Sequence, residues 1–178
     1  MLLRMDSKDL KYLMDTCSMA VDKKGRKRNS LRALRSIHCE ITDKEITGTA
    51  TDGCRIHRVT VPCSIVEGEP PVTVVLPPIK VPAKSKYVFI EVGEKEVTYE
   101  FDSTTKQVTL IETCPFPNMN RFIPTEEPSF SCYIDPQFLF DATKPFKDKE
   151  AVRLEFYGEL DPVMIRWNKD FTFVLPRK

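Results

Sequence analysis

The sequence is poor in net charge, in paired cysteine motifs, in long apolar runs and in catalytic signatures. Its formal charge is +1 over 178 residues, which excludes a globally basic nucleic-acid binder but leaves room for a basic face. Cys17, Cys39, Cys54, Cys63, Cys114 and Cys132 are scattered, and no two form a C-x-x-C. In a chain this long, with no signal peptide to be read, an even cysteine count does not spell a disulfide framework. The opening MLLRMDSKDL is too short and too charged for a signal h-region. No apolar run approaches the ~20 residues needed to span a bilayer. The expectation is a reduced, soluble, cytoplasmic protein without a membrane partner. There is also no P-loop, G-x-S-x-G or H-E-x-x-H pattern. The sequence therefore offers no catalytic residue, no cofactor motif and no metal site.

What is present suffices for a core. Hydrophobic residues make up 41% of the chain and Phe occurs 11 times, enough for one ordinary domain or for one large and one small unit. The charge is unevenly spread. Residues 1–62 carry 13 Lys and Arg against 8 Asp and Glu, and the remainder carries 14 against 18. Any polyanion contact is expected in the N-terminal third.

Hydrophobic spacing orders the chain. Leu10, Leu13, Met14, Cys17 and Val21 recur at helical spacing, with Asp6 or Ser7 able to cap the helix start. A charged loop follows, and ALRSIHCEIT, KEITGTATDG and CRIHRVTVP then read as strands. VTVVLP, the two arms of YVFIEVGEKEVTYEF and KQVTLIET continue the β pattern. Between them, Pro78 and Pro82 leave room for little more than one helical turn. SFSCYI reads as a strand. DPQFLFDATKPF reads as a short helix with Asp135 as N-cap and Pro136 in its first turn, ended by Pro145. Three closing strands turn at Gly158 and at Asn168-Lys169.

The stretch TATDGCRIHRVTVP, residues 49–62, crowds Cys54, Arg55 and His57 behind an Asp52-Gly53 turn. On a strand, positions 54 and 57 point to opposite faces, and no second ligand pair stands nearby, which argues against zinc or a thiol nucleophile. The charged EVGEKEVTYE reads as a solvated hairpin and Trp167 as a packing residue on its strand.

An internal repeat runs through these elements. Each unit has a strand, a helix or helix remnant, three strands, and a hydrophobic ending in Pro: HRVTVP, NRFIP and FTFVLP. The period of about 55–60 residues suits a duplicated βαβββ unit. Helices on one face of antiparallel sheets make the expected class α+β.

Three motifs in this frame resemble the bacterial sliding clamp, the β subunit of DNA polymerase III. TATDGCRIHRV is similar to the clamp's T-A-T-D-G-H-R-L, with Cys54 for His. FPNMNRFIP at 116–124 is similar to its F-P-x-Y-x-R-[VIL]-[IL]-P, with Met119 for Tyr. FTFVLPRK resembles its final Y-V-[VIL]-M-P-[MVI]-R. A fourth, looser likeness lies in AVDKKGRKRNSLRAL. The resemblance implies a clamp-type domain at 1–125, made of units 1–68 and 69–125, with a third half-unit at 126–178 packed against it. A clamp subunit holds six such units and a ring twelve, so a ring of this chain would need four copies or a new interface.

In the family these motifs line a peptide-binding pocket. The resemblance assigns that role to Thr51, Gly53, Arg55 and Ile56, to Pro117, Arg121 and Phe122, and to Phe173, Val174, Leu175, Pro176 and Arg177. The chemistry fits: apolar side chains wall a cleft for apolar anchors, Gly53 allows close backbone approach, and the arginines can bind carbonyls or carboxylates. Read without the resemblance, Ile56, Val174 and Leu175 are ordinary strand core residues. The implied partners are replication or repair proteins with short hydrophobic motifs. Duplex DNA, contacted without sequence preference through Lys23, Lys24, Arg26, Lys27 and Arg28, is a second implied partner. That basic run reads equally as a solvated loop. The implied function is a non-enzymatic processivity factor. The alternative is a non-ring adaptor or decoy that captures replication proteins without encircling DNA.

Overall fold

The computed structural model describes residues 1–22 and 32–177. The five basic candidates between 23 and 28 lie outside the described residues. The chain divides into two compact units, Met1–Ile123 and Pro124–Lys178.

The first unit holds β1 (Leu2–Asp6), α1 (Ser7–Ser18), a 3-10 turn (Arg32–Arg35), β2 (Ile37–Ile41), β3 (Glu45–Thr51), β4 (Ile56–Pro62) and β5 (Ser64–Glu67). It continues with β6 (Val72–Leu76), β7 (Tyr87–Val92), β8 (Glu96–Phe101) and β9 (Thr105–Leu110). Two antiparallel sheets result, in the orders β4-β3-β2-β6 and β5-β1-β7-β8-β9. The expected α+β class is what forms.

The two sheets trade strands. β1 leads the first half of this unit, yet it pairs with β7 of the second half, from Leu2 opposite Glu91 to Asp6 opposite Tyr87. β6 leads the second half and pairs with β2 of the first, from Ile37 opposite Leu76 to Ile41 opposite Val72. Each half thus borrows an inner neighbour for its first post-helical strand.

Helix α1 buries Leu10, Leu13, Met14 and Cys17 against the sheets. Its packing on β3 depends on Gly48, where a Cβ would lie 2.9 Å from Leu13 Cδ2 and 3.3 Å from Cys17 Sγ. The expected cap does not form: Asp6 occupies the N-cap position but its carboxylate accepts no capping bond. The helix start is fixed from outside instead. Ser7 N–H donates to Lys86 O at 3.0 Å, and the Ser7 and Ser85 hydroxyls meet at 2.7 Å. The stretch between Pro78 and Pro82 forms no helix, and the chain turns at Ala83-Lys84 just beyond it.

The second unit is a three-stranded antiparallel sheet of β10 (Arg153–Glu155), β11 (Val163–Trp167) and β12 (Asp170–Val174), with helix α2 (Pro136–Thr143). Asp135 caps α2 as expected, accepting from Gln137 N–H at 2.8 Å. The α-helix ends at Thr143, ahead of Pro145 as expected, and the chain continues as a 3-10 turn over Lys144–Phe146. α2 is tied to the sheet where Thr172 Oγ1 donates to Ala142 O at 2.8 Å. Residues 129–134 were expected as a strand, but they join no ladder. A single bridge pairs Tyr133 with Arg177, because a strand needs a neighbouring edge and this segment has none alongside.

Candidate functional site: an apolar groove beside a glycine turn

The β3–β4 connection is a turn built from its own side chains. Thr51, almost fully buried, donates its hydroxyl to Arg55 O at 2.7 Å and accepts from Gly53 N–H at 3.0 Å. Asp52 Oδ1 accepts from the N–H groups of Cys54 at 3.0 Å and Arg55 at 3.2 Å. Its other oxygen accepts from Arg55 Nε at 3.1 Å. The Cys54 N–H, followed by the Arg55 side chain and backbone, holds the Asp52 carboxyl below the usual carboxylate range. Gly53 has φ +85°, a conformation that glycine alone adopts without steric cost. The turn is therefore set before any ligand arrives.

The opposite wall comes from the segment after β9. It folds into a 3-10 turn over Asn120–Phe122, closed by Phe122 N–H donating to Met119 O at 3.0 Å. Two contacts pin it to the sheet. Phe116 stacks on His38 with ring centroids 5.0 Å apart, and Arg58 Nη1 donates to Asn120 Oδ1 at 2.7 Å. The Arg121 guanidinium lies 4.6 Å from the centre of the Phe122 ring, within cation–π reach.

Between the two walls is a cavity of about 500 Å³, lined by Leu34, Thr51, Gly53, Cys54, Arg55, Ile56, Pro117, Met119, Arg121 and Phe122. Seven residues singled out in the sequence meet here: Thr51, Gly53, Arg55, Ile56, Pro117, Arg121 and Phe122. Leu34 and Met119 complete the apolar lining and were missed. Leu34 reads in the sequence as the start of a strand but sits in the 3-10 turn before β2. Met119 lies inside the very motif that supplied Pro117 and Arg121, so an apolar residue between two wall residues was the available signal. Cys54 lines the groove from the turn rather than from a strand. His57 points elsewhere and donates Nδ1–H to Thr16 O at 2.7 Å. Arg55 differs from the expectation in one respect: its Nε is already engaged by Asp52.

The remaining residues singled out belong to the second unit. Val174 is buried there, whereas Phe173 and Leu175 are exposed. Arg177 N–H donates to Tyr133 O at 2.7 Å, and its guanidinium contacts the Asp135 carboxylate. Pro176 stands between them, half-buried.

Cys17 and Cys39 lie buried in the core of the first unit. Burial pushes the Cys17 thiol up to about 11, and burial with the neighbouring Cys17 charge pushes Cys39 up to about 12. All six cysteines are free thiols. Among the described residues no group of three or more His, Cys, Asp or Glu is placed to hold a metal. No described helix is long and apolar enough to cross a membrane.

No protein-family model and no curated protein sequence matches the chain. Solved structures do. The sliding clamp of Pseudomonas aeruginosa bound to griselimycin superposes with a TM-score of 0.78 at 15% identity, over 100% of this chain and 51% of that one. The Bacillus subtilis DNA polymerase sliding clamp gives 0.71 at 14%, over 100% and 64%. The Thermotoga maritima DNA polymerase III β subunit gives 0.72 at 16%, over 99% and 50%. The chain has the sliding-clamp fold and spans about half to two thirds of the length of these clamps.

Proposed function

From this fold and groove, we propose that the chain is a non-catalytic, cytoplasmic replication accessory of the clamp type, whose groove takes short apolar peptide segments of replication or repair proteins. In this reading residues 1–125 form a clamp-type domain and 126–178 a further half-unit. The observation that carries it is the cavity of about 500 Å³ assembled from three stretches distant in sequence, at 34, 51–56 and 117–122. Its size suits one or two apolar side chains, and its apolar lining of Leu34, Ile56, Met119 and Phe122 supplies the apolar burial such anchors need. Gly53 presents bare backbone at the rim, with nothing within 4 Å of where a Cβ would stand, so a peptide main chain can lie close. Arg55 and Arg121 add positive charge at the edge, which suits peptide carbonyls or an acidic flank. That a P. aeruginosa clamp of this fold holds griselimycin supports a ligand role for such folds.

Titration of the whole chain with a short fluorescent peptide bearing Leu and Phe anchors tests the reading. Saturable binding is expected, weakened about tenfold, or 1.4 kcal/mol, by Ile56→Ala or Phe122→Ala. Arg55→Ala is expected to weaken it less, because Arg55 already serves Asp52. Leu175→Ala reports whether the tail shares in binding. Absence of binding, or binding untouched by Ile56→Ala, overturns the proposal.

Duplex DNA is the second partner in this reading, through Lys23, Lys24, Arg26, Lys27 and Arg28. Binding should fall steeply with salt, by a slope of about 0.9 per phosphate neutralised, and alanine at the five positions should flatten it. The alternative reading is an adaptor or decoy that captures replication proteins without encircling DNA. Retention on circular but not linear DNA separates encirclement from simple adhesion.

A further inference from the structure

Unit 1 contains a rule that unit 2 breaks. In unit 1 each half sends the strand ahead of its helix position to the other half, where it pairs with the first strand after the helix position. β1 reaches β7 and β6 reaches β2. As a result β2 and β7 are interior strands, and their inward side chains Ile37, Cys39, Ile41, Val88, Ile90 and Val92 are all buried. In unit 2 the corresponding strand β10 is an edge. Its inward Leu154, opposite Ile165, is 49% exposed, and Phe156 two residues on is 54% exposed. The segment ahead of α2, residues 129–134, has no ladder. It rests on the Tyr133–Arg177 bridge, the Arg177–Asp135 ion pair and an edge contact between the Phe130 and Phe156 rings at 5.9 Å. None of the α2 side chains is buried.

We propose that unit 2 is the dimerisation module of this protein: two copies exchange the segments 130–134, each pairing antiparallel with the free edge of the partner's β10. The register follows from unit 1. There Met5, two residues before the helix begins, stands opposite Val88, the second residue of β7. Carried over, Ile134 stands opposite Leu154 and Cys132 opposite Phe156, which gathers the apolar side chains on the inward face. The same register sets Asp135 opposite Arg153 on the outward face, an attractive cross-strand charge pair. A slip by one residue would put Asp135 against Leu154 and lose both matches, so the side-chain pattern selects this pairing. Exchange is reciprocal, so the assembly closes as a two-fold dimer instead of growing into a fibre. It also removes the exposed edge that a lone β10 presents.

A second copy is the occupant of this edge because the segment that fits it, in register and charge, is this chain's own. Unit 1 cannot supply it, because β1 and β6 are already paired. The inference is independent of the groove in unit 1.

The test uses the whole chain. Sedimentation equilibrium should give a monomer–dimer equilibrium that saturates at the dimer. Phe156→Lys, at an exposed position, should weaken it at least tenfold, and Arg153→Glu should weaken it where Arg153→Lys does not. Phe156→Cys, oxidised, should give a covalent dimer on a non-reducing gel through the native Cys132, and Cys132→Ser in that background should abolish it. A chain that stays monomeric overturns the proposal. So does a dimer indifferent to Phe156→Lys, a cross-link within one chain, or an assembly that keeps growing with concentration. Peptide binding by the groove should be unchanged in all these variants, so failure here and failure of the proposed function are distinguishable.

Discussion

Helix α2 with its three following strands repeats the order of α1 with β2, β3 and β4, yet the two units meet solvent in opposite ways. In unit 1 a single cluster runs from Leu3 through α1 to Tyr99 and Phe101, with almost every inward side chain buried. In unit 2 the buried apolar set is Phe146, Val163, Ile165 and Val174, while Tyr133, Phe138, Phe140, Leu154, Phe156, Tyr157 and Leu160 face outward. Composition does not account for the contrast, since both units are rich in apolar residues. Unit 1 has two halves, so each has a partner for its apolar face. Unit 2 has one. A βαβββ half is a surface waiting for its complement, and a core exists only where two are brought together.

The contrast can be broken most forcefully in the unit 1 core. Leu13→Ala should cost about 2–5 kcal/mol, because Leu13 is fully buried between α1 and β3. Leu160→Ala in the β10–β11 connection should change stability by less than about 0.5 kcal/mol. Chemical denaturation compares the two, and equal costs would erase the distinction drawn here.

Glycine substitution sharpens it further. Gly48→Ala drives a methyl to 2.9 Å from Leu13 Cδ2, inside a packed core, at a cost of about 1–3 kcal/mol. Gly158→Ala meets the Asp161 Oδ2 at 2.7 Å, but that carboxylate is the free end of a side chain and can turn away. Thermal melts should show a clear loss for the first and little for the second.

A smaller reversal is expected at the helix starts. Asp135→Ala removes the bond to Gln137 N–H and should cost about 1 kcal/mol, read as faster amide exchange in α2. Asp6→Ala removes no capping bond and should cost a few tenths of that. Here the looser unit depends more on its cap.

The smallest effect concerns acid. Asp52 has a depressed folded pKa, so its stabilising contribution is complete above the unfolded aspartate value of about 3.9. It is lost as pH falls through the lower folded value. Wild type and Asp52→Asn should therefore differ in denaturant midpoint at neutral pH and converge below pH of about 4. A gap that widens on acidification would reverse the sign assigned to this turn.

Much of this architecture could be read from residues whose reasons are local. Strands β2 to β4, the β7–β8 hairpin and the β11–β12 pair announce themselves through alternation and turn residues. Asp135-Pro136 marks the start of α2. What escaped notice is owed to distant partners. β1, implied by the repeat but not located in the chain, is five residues long and is a strand because β7 lies alongside it. β5 owes its state to β1 in the same way. SFSCYI failed in the opposite direction: strand-like composition without an edge to join leaves an irregular segment. In the groove, the Thr51–Ile56 turn and the Pro117–Phe122 segment were legible through the motifs they resemble. Leu34 was not, because a 3-10 turn has no periodic signature and its role arises only once β3 has paired with β2 and β4.

The pairing of β1 with β7 also sets a timetable. Leu2 stands opposite Glu67 on β5 and opposite Glu91 on β7, so on a ribosome β1 gains one neighbour when β5 emerges and the second only when β7 follows. At about 5–20 residues per second it is several seconds before Leu3 and Met5 lie in an interior strand. Helix α1 directly behind it is 12 residues long, marginal by itself, so it too settles only as the sheets that bury its apolar face emerge.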